Sequence, residues 1–399
     1  MIKITLILAL SVGLSYAQTT QELIEIALKN SPTLGSAKAR LVQSQSLREI
    51  SRNFDNPSLQ LLVNDIQTQD ISNRSIEPMQ FTTLAFSQKL PFLGKRDARY
   101  EDSQAQEASF EFNLKQSQAV LINEIKQEAY RIWQLREEQR IYVDFELLVR
   151  QNAELYTALS SVASRRHMGI MSSQMDLSQI KITQANLSEE LERSYATLSQ
   201  LCGQKVDTVE IALPMGKIES IGLYEEALKH NFGYRAKEAQ LQAAHAQLKQ
   251  AKLDYYPDVT IQMGYSRRES FNDYWSAGIN IPLPIYGTES VKEQIGQAKV
   301  QERNHDKEAT YLQLESSMRQ KYAQMHKTLE VWNVVHDESL PQLNHMFELT
   351  EASIRNGEDL FRFTELLKQK LQLELQQSRA VSGFYSARAQ LDLLVGKEQ

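Results

Sequence analysis

Lys95 to Met168, KRDARYEDSQAQEASFEFNLKQSQAVLINEIKQEAYRIWQLREEQRIYVDFELLVRQNAELYTALSSVASRRHM, contains neither Gly nor Pro. Nothing in this stretch tells a helix to stop. At about 1.5 Å per residue such a helix reaches roughly 100 Å, too long to wrap one compact core. Its apolar residues Leu121, Ile125, Ile132, Leu135, Tyr142 and Val149 step by fours, sevens and threes. A mean spacing near 3.5 belongs to helices packed lengthwise on neighbours, as in a coiled coil or a closed ring of helices.

Composition narrows the class. The 399 residues carry a formal charge of −6 with 24% charged residues and no basic run, which argues against a nucleic-acid surface. The single cysteine, Cys202, excludes an intrachain disulfide, so packing holds the fold. At the N-terminus, Lys3 precedes an apolar run from Ile4 to Leu14 and the triplet Ser15-Tyr16-Ala17. This predicts a cleavable signal peptide over residues 1–17. No later stretch approaches about twenty apolar residues, leaving a soluble exported protein or a membrane β-barrel.

Outward from the long stretch, the chain repeats itself. A helix starts at Leu23, breaks at Asn30-Ser31-Pro32 and resumes from Ala37 to Phe54, where Asn56-Pro57 ends it. Ser58 to Asn64 alternates, with Leu59, Leu61 and Val63 on one face; Met79 to Leu90 reads as a return strand. Leu90-Pro91-Phe92-Leu93-Gly94 punctuates entry to the long helix, which is expected to turn at Met168-Gly169-Ile170 and return through residues 172–201. Residues 204–222 read as a linker. Leu223 to Lys229 then echoes Leu23 to Lys29, about 200 residues on, and Tyr256-Pro257 echoes Asn56-Pro57. Val259, Ile261, Met263 and Tyr265 alternate, as do Trp275, Ala277, Ile279, Ile281 and Leu283. Leu283-Pro284-Ile285-Tyr286-Gly287 restates Leu90 to Gly94. Met318, Tyr322, Met325, Leu329 and Trp332 mark a second long helix, with a kink or end expected at Pro341. Asn356-Gly357-Glu358 takes the place of the first turn. The expected organisation is a first repeat at 18–203, with strand pair 58–90 and helical hairpin 95–201, and a second at 223–399, with strand pair 258–283 and hairpin 288–395.

Each repeat thus offers two strands of a length that crosses a bilayer at a barrel tilt, each with one apolar face. Four strands cannot close a barrel. An open edge in lipid leaves N–H and C=O groups unpaired at several kcal/mol each, so several chains must share one barrel. Eight strands give an interior filled by side chains, whereas about twelve leave a channel, and three chains are the simplest solution. Tyr265, Tyr274 and Trp275 suit an interfacial aromatic girdle, with aromatic packing in a soluble sheet as the competing reading.

In this order of helix, Asn-Pro or Tyr-Pro, strand pair, Leu-Pro-x-x-Gly, long helix, glycine turn and return helix, the chain resembles the TolC-like outer-membrane efflux family over nearly its whole mature length. The resemblance implies an α+β membrane protein, mostly α: a homotrimer with a helical tunnel (an α-barrel) across the periplasm and a twelve-strand barrel in outer-membrane lipid. It also implies a passive duct that accepts substrate from an inner-membrane pump of the RND type through a periplasmic adaptor. Leu90 to Arg96, and Gly169 to Asp176 followed by Leu177, are most similar to the heavy-metal-efflux branch. From the family come two sets of expected site residues. Met168, Gly169, Ile170, Asn356, Gly357 and Glu358 would dock the adaptor, with φ > 0 expected at Gly169 and Gly357. Asp176 would line the periplasmic entrance, as would Asp359 and Glu365, displaced from the family's usual position; Arg362, between these two acids in sequence, is expected to tie a helix shut through a salt bridge, with a solvated helix end of ordinary surface charge as the competing reading.

No Gly-x-Ser-x-Gly, phosphate loop or His-Glu-x-x-His occurs, so neither an enzyme nor a cofactor is expected. His167, Met168, Met171 and Met175 cluster at the first turn, where soft thioethers suit Cu(I) or Ag(I), but adaptable methionines at a helix contact are the commoner use. A periplasmic adaptor or a structural exported coiled coil are the alternatives, and neither needs two pairs of lipid-length strands.

Overall fold

The computed structural model describes residues 18–68, 70–159, 163–354 and 360–397. In order these form β1 (Gln18–Thr19), α1 (Thr20–Asn30), α2 (Pro32–Ser51), β2 (Ser58–Val63), β3 (Thr82–Leu90), α3 (Lys95–Leu159), α4 (Ala163–Cys202), β4 (Val209–Glu210), α5 (Ile221–Ala227), α6 (Phe232–Leu253), β5 (Val259–Arg267), β6 (Tyr274–Asn280), α7 (Thr288–Asn333), α8 (Leu340–Ile354) and α9 (Leu360–Val395). The signal-peptide residues 1–17 lie outside the described residues. Two compact units each draw on both sequence repeats: Met1–Gly35, Gln116–Asn231 and Gln313–Gln399 contribute to the first, Ser36–Lys115 and Phe232–Leu312 to the second.

The first unit is a helical bundle. Thr19 opens α1 with a capping box, its hydroxyl accepting from the Glu22 N–H while the Glu22 carboxylate accepts from the Thr19 N–H at 2.8 Å, which satisfies two end donors reciprocally. The seam residues Leu121, Ile125, Ile132, Leu135 and Val149 are buried, as are Met318 and Met325 of α7 and Phe384 and Leu391 of α9. Gly203 and Gly396 end α4 and α9 at φ 66° and 65°. After each, the next N–H reaches back five residues, Gln204 to the Ser199 carbonyl and Lys397 to that of Asp392, both at 3.2 Å; a left-handed glycine makes that closure possible. Residues 204–222, read as a linker, are tied to the bundle: β4 pairs in parallel with β1, and Arg136 donates to the Val209 carbonyl at 2.7 Å. At Pro341 the helix accommodates the missing donor through a π-helical turn over Val334–Ser339 and runs on as α8. Cys202 is buried, and burial pushes its thiol up to about 11, which leaves it unreactive.

The second unit holds one antiparallel sheet in the order β2-β3-β5-β6. Register puts Leu61, Leu84, Tyr265 and Trp275 in one row and Leu59, Phe86, Met263 and Ala277 in the next, so one face is apolar through these middle rows, with Thr82, Arg267 and Gln88 at its ends. The other carries Gln60, Ala85, Gly264 and Ser276 in one row and Leu62, Thr83, Ser266 and Tyr274 in another. Strict alternation therefore turns Tyr274 away from Trp275; it packs edge-on against Phe81 at 5.8 Å, and only Tyr265 and Trp275 remain on the apolar face. The β2–β3 connection is folded by Arg74, whose guanidinium donates to the carbonyls of Asn64, Asp65 and Phe81 at 2.6–3.1 Å.

Candidate functional site

Two regions carry function-bearing chemistry, one in each unit. In the second unit the sheet exposes its apolar face: Leu59 at 70%, Trp275 at 67% and Ile279 at 71%. The opposite, smaller and more polar face is covered only at its centre, with Thr83, Gly264 and Ser266 buried and the Thr83 and Ser266 hydroxyls 2.7 Å apart. A Cβ at Gly264 would meet the Ser276 hydroxyl at 2.9 Å, so this face tolerates only small residues where it crowds. A contiguous apolar sheet face left exposed marks a surface for contact with lipid or another protein. Among the described residues no helix is long and apolar enough to cross a membrane; the apolar surface lies on the strands.

Where strands meet helices, Gly94 at φ 87° turns the chain into α3 and delivers Lys95 to a buried ion pair. Its ammonium lies 2.9 Å from Asp258 and 3.5 Å from Asp254. Asp258 also accepts from the Phe92 N–H at 3.1 Å and pairs with Lys89 at 3.1 Å. Burial pushes the Asp258 carboxyl up, but these bonds outweigh it and hold the group at about 2.

In the first unit the site lies where α3, α4 and α9 approach the breaks between helices. The first break is not where the glycine signal puts it. α3 ends at Leu159 and α4 begins at Ala163, so Met168, Gly169 and Ile170 lie inside α4 rather than at a turn, and Gly169 is not among the residues with positive φ. The physical reason for glycine is close approach: a Cβ there would fall 2.2 Å from the Tyr156 ring. The expected second turn, Asn356, Gly357 and Glu358, and the entrance residue Asp359 lie outside the described residues.

Layers stack inward from these breaks. Tyr156 and Leu360 form one apolar cluster with Ile170 and Phe363 against it, and Phe145, Val149, Ile180 and Leu367 form another. Between them lies a polar layer. Asn152, 1% exposed, donates to the Thr364 hydroxyl at 2.8 Å. The antiparallel run of α3 and α4, with Gly169 at Tyr156 and Ile180 at Phe145, brings buried Ser173 level with Asn152. One turn along α4, Asp176 pairs with Lys368 of α9 at 3.0 Å. Asn152 Oδ1, Ser173 Oγ and Asp176 Oδ2 are buried without a hydrogen-bond partner. Such a layer gains less from packing than the apolar layers beside it.

Of the expected entrance residues, Asp176 is thus at the helix contact and held by Lys368, which sequence reasoning missed. Arg362 and Glu365 are exposed on α9. His167 is exposed, and Met168, Met171 and Met175 form a stripe on α4, 52–73% exposed. Deeper in the bundle, buried Glu138 takes a two-pronged pair from Arg379 at 2.8 and 3.3 Å, a bond that raises the guanidinium pKa further. Among the described residues no group of three His, Cys, Asp or Glu side chains could hold a metal ion.

Comparison with known proteins gives three results. Residues 223–397 match the family described as outer membrane efflux protein. The pyoverdine export outer membrane protein OpmQ of Pseudomonas aeruginosa is 24% identical over 300 residues, covering 68% of this chain and 62% of that protein's length. Among solved structures, the outer membrane protein VceC of Vibrio cholerae superposes with a TM-score of 0.79 at 18% identity, covering 94% of this chain and 96% of that one. The outer-membrane channel OprN does so with 0.76 at 19% identity, covering 94% and 89%.

Proposed function

From a chain that carries an outer membrane efflux protein domain over residues 223–397 and belongs to the outer membrane, extending into the periplasm, we infer a passive exit duct for small solutes. The observation that carries this reading is the sheet of the second unit: one exposed, largely apolar face, a smaller and more polar face opposite it, and two unpaired edges, β2 and β6. In lipid each unpaired edge group costs several kcal/mol, so copies of the chain close the sheet. Three copies make a twelve-strand barrel whose small polar face lines the passage.

The duct takes its cargo from an inner-membrane pump of the RND type through a periplasmic adaptor. The adaptor docks at the breaks beside Met168, Gly169 and Ile170 in one repeat and Asn356, Gly357 and Glu358 in the other. Asp176, Asp359, Arg362 and Glu365 form the periplasmic entrance, where a threefold ring of carboxylates favours cations. Heavy-metal cations are the cargo this reading prefers, supported by the exposed methionine stripe; a siderophore-like organic cargo is the alternative that the relative's name brings. Planar-bilayer recording of the purified protein tests the duct. Discrete, cation-selective conductance steps are expected, and a protein that inserts without conducting would overturn it. Growth of a deletion strain on metal salts, dyes and bile salts separates the cargo classes.

A further inference from the structure

α4 turns one side to the bundle and the other outward, and its methionines are on the outward side. Gly169, Ser173, Ile180 and Leu187 are buried and step by four, seven and seven, the spacing of a line packed lengthwise on neighbouring helices. At 3.6 residues per turn, His167, Met168, Met171 and Met175 fall within an arc of about 100°, centred roughly 160° from that line. All four are exposed, the three methionines at 52–73%. The same bundle shows what a packing methionine looks like: Met318 and Met325 of α7 are 0% and 1% exposed. Packing within the chain therefore does not account for the stripe on α4.

Its donor set is that of a soft-metal site. His167 lies four residues before Met171 and Met168 three before it, so both are helix-surface neighbours of Met171, with Cβ atoms about 5–6 Å apart. Each methionine is unbranched and turns about three side-chain bonds, so two thioether sulfurs and one imidazole nitrogen can close on a single ion. Met175, four residues past Met171, brings a third sulfur alongside. None of these donors carries a charge when the imidazole is neutral, and the nearest carboxylate along α4, Asp176, is turned to Lys368 at 3.0 Å. Uncharged thioethers select Cu(I) and Ag(I), whereas zinc takes thiolate, imidazole and carboxylate ligands in sets of three or four. Among the described residues no group of three His, Cys, Asp or Glu side chains offers that alternative.

We propose that His167, Met168 and Met171 form a surface site for a soft monovalent cation, Cu(I) or Ag(I), with Met175 extending it along α4. Binding needs neither conduction nor an adaptor, so the site goes beyond the duct reading and stands or falls separately from it.

Titration of the full-length, detergent-solubilised protein with Ag(I) in chloride-free buffer tests it, in a Cys202→Ala background so that the buried thiol takes no part. One tightly held Ag(I) per chain is expected, and no zinc under the same conditions. Met168→Leu with Met171→Leu keeps volume and apolar character while removing sulfur, and the affinity for Ag(I) should fall by more than about tenfold; Met175→Leu should cost less. In the Cu(I)-loaded protein, His167→Ala should remove the nitrogen neighbour of the metal from the X-ray absorption spectrum and leave the sulfur neighbours. Silver binding unchanged in the double leucine variant would overturn the site and leave the stripe as a packing surface for another protein. Zinc held as tightly as silver would overturn the donor assignment. A protein that conducts but holds no silver would overturn the site and leave the duct standing, whereas one that holds silver at these residues without conducting would uphold the site and overturn the duct.

Discussion

The sheet of the second unit and the bundle of the first bury opposite things. In the bundle Ile125, Ile132, Phe384 and Leu391 are fully covered and Arg140 is among the exposed charges; in the sheet Leu59 and Ile279 are bare while Thr83 and Ser266 are covered. One chain therefore follows two rules, and the rule changes at the glycine shoulders. On the proposed duct reading water surrounds the bundle and lipid the sheet, and the hydrophobic effect rewards burial only in the first.

Matched substitutions can break this contrast. Phe384→Ala removes a fully buried ring from the bundle and should cost about 3–5 kcal/mol in denaturant unfolding of the detergent-solubilised protein. Ile279→Ala should cost almost nothing in the same assay, and equal losses would erase the distinction. Ile279→Arg, next in size, should cost about 2–4 kcal/mol in each copy near mid-bilayer, seen as failure to reach the outer membrane fraction. Gly169→Ala should itself destabilise by about 1–3 kcal/mol through overpacking on Tyr156, with Val no more tolerable; a harmless Ala would restore the turn reading of that glycine.

Asp258→Asn probes the shoulder between the two regimes. The carboxyl is held at about 2 against an ordinary 3.8, a difference worth about 2 kcal/mol. Because the folded value is the lower one, this stability is fully present above pH about 4 and is lost as pH falls through about 2. Wild type should lose stability across that acid window, and Asp258→Asn should have a flatter profile. The smallest effect concerns the bundle alone: Lys368→Gln releases Asp176 and should raise mean channel conductance modestly without changing thermal stability by more than about 1 kcal/mol.

Much of the architecture was legible because it follows short-range rules. Alternation placed the strands, Leu-Pro-x-x-Gly placed both shoulders, and Gly203 and Gly396 marked helix ends through the left-handed conformation they supply. The tip was less legible for a physical reason. A glycine serves equally for a turn or for close approach, and only the position of the Tyr156 ring distinguishes them at Gly169. Lys368 escaped because its partnership with Asp176 depends on the stagger of α4 against α9, which no local pattern encodes. Tyr274 is the opposite case, since alternation already sends it to the face opposite Trp275.

The central claim is that four strands per chain need other copies to complete one membrane barrel. Mass determination of the protein extracted from outer membranes in mild detergent tests it most directly: the account predicts a species of three chains that resists dissociation until heated, and a monodisperse monomer, soluble in water without detergent, would contradict it.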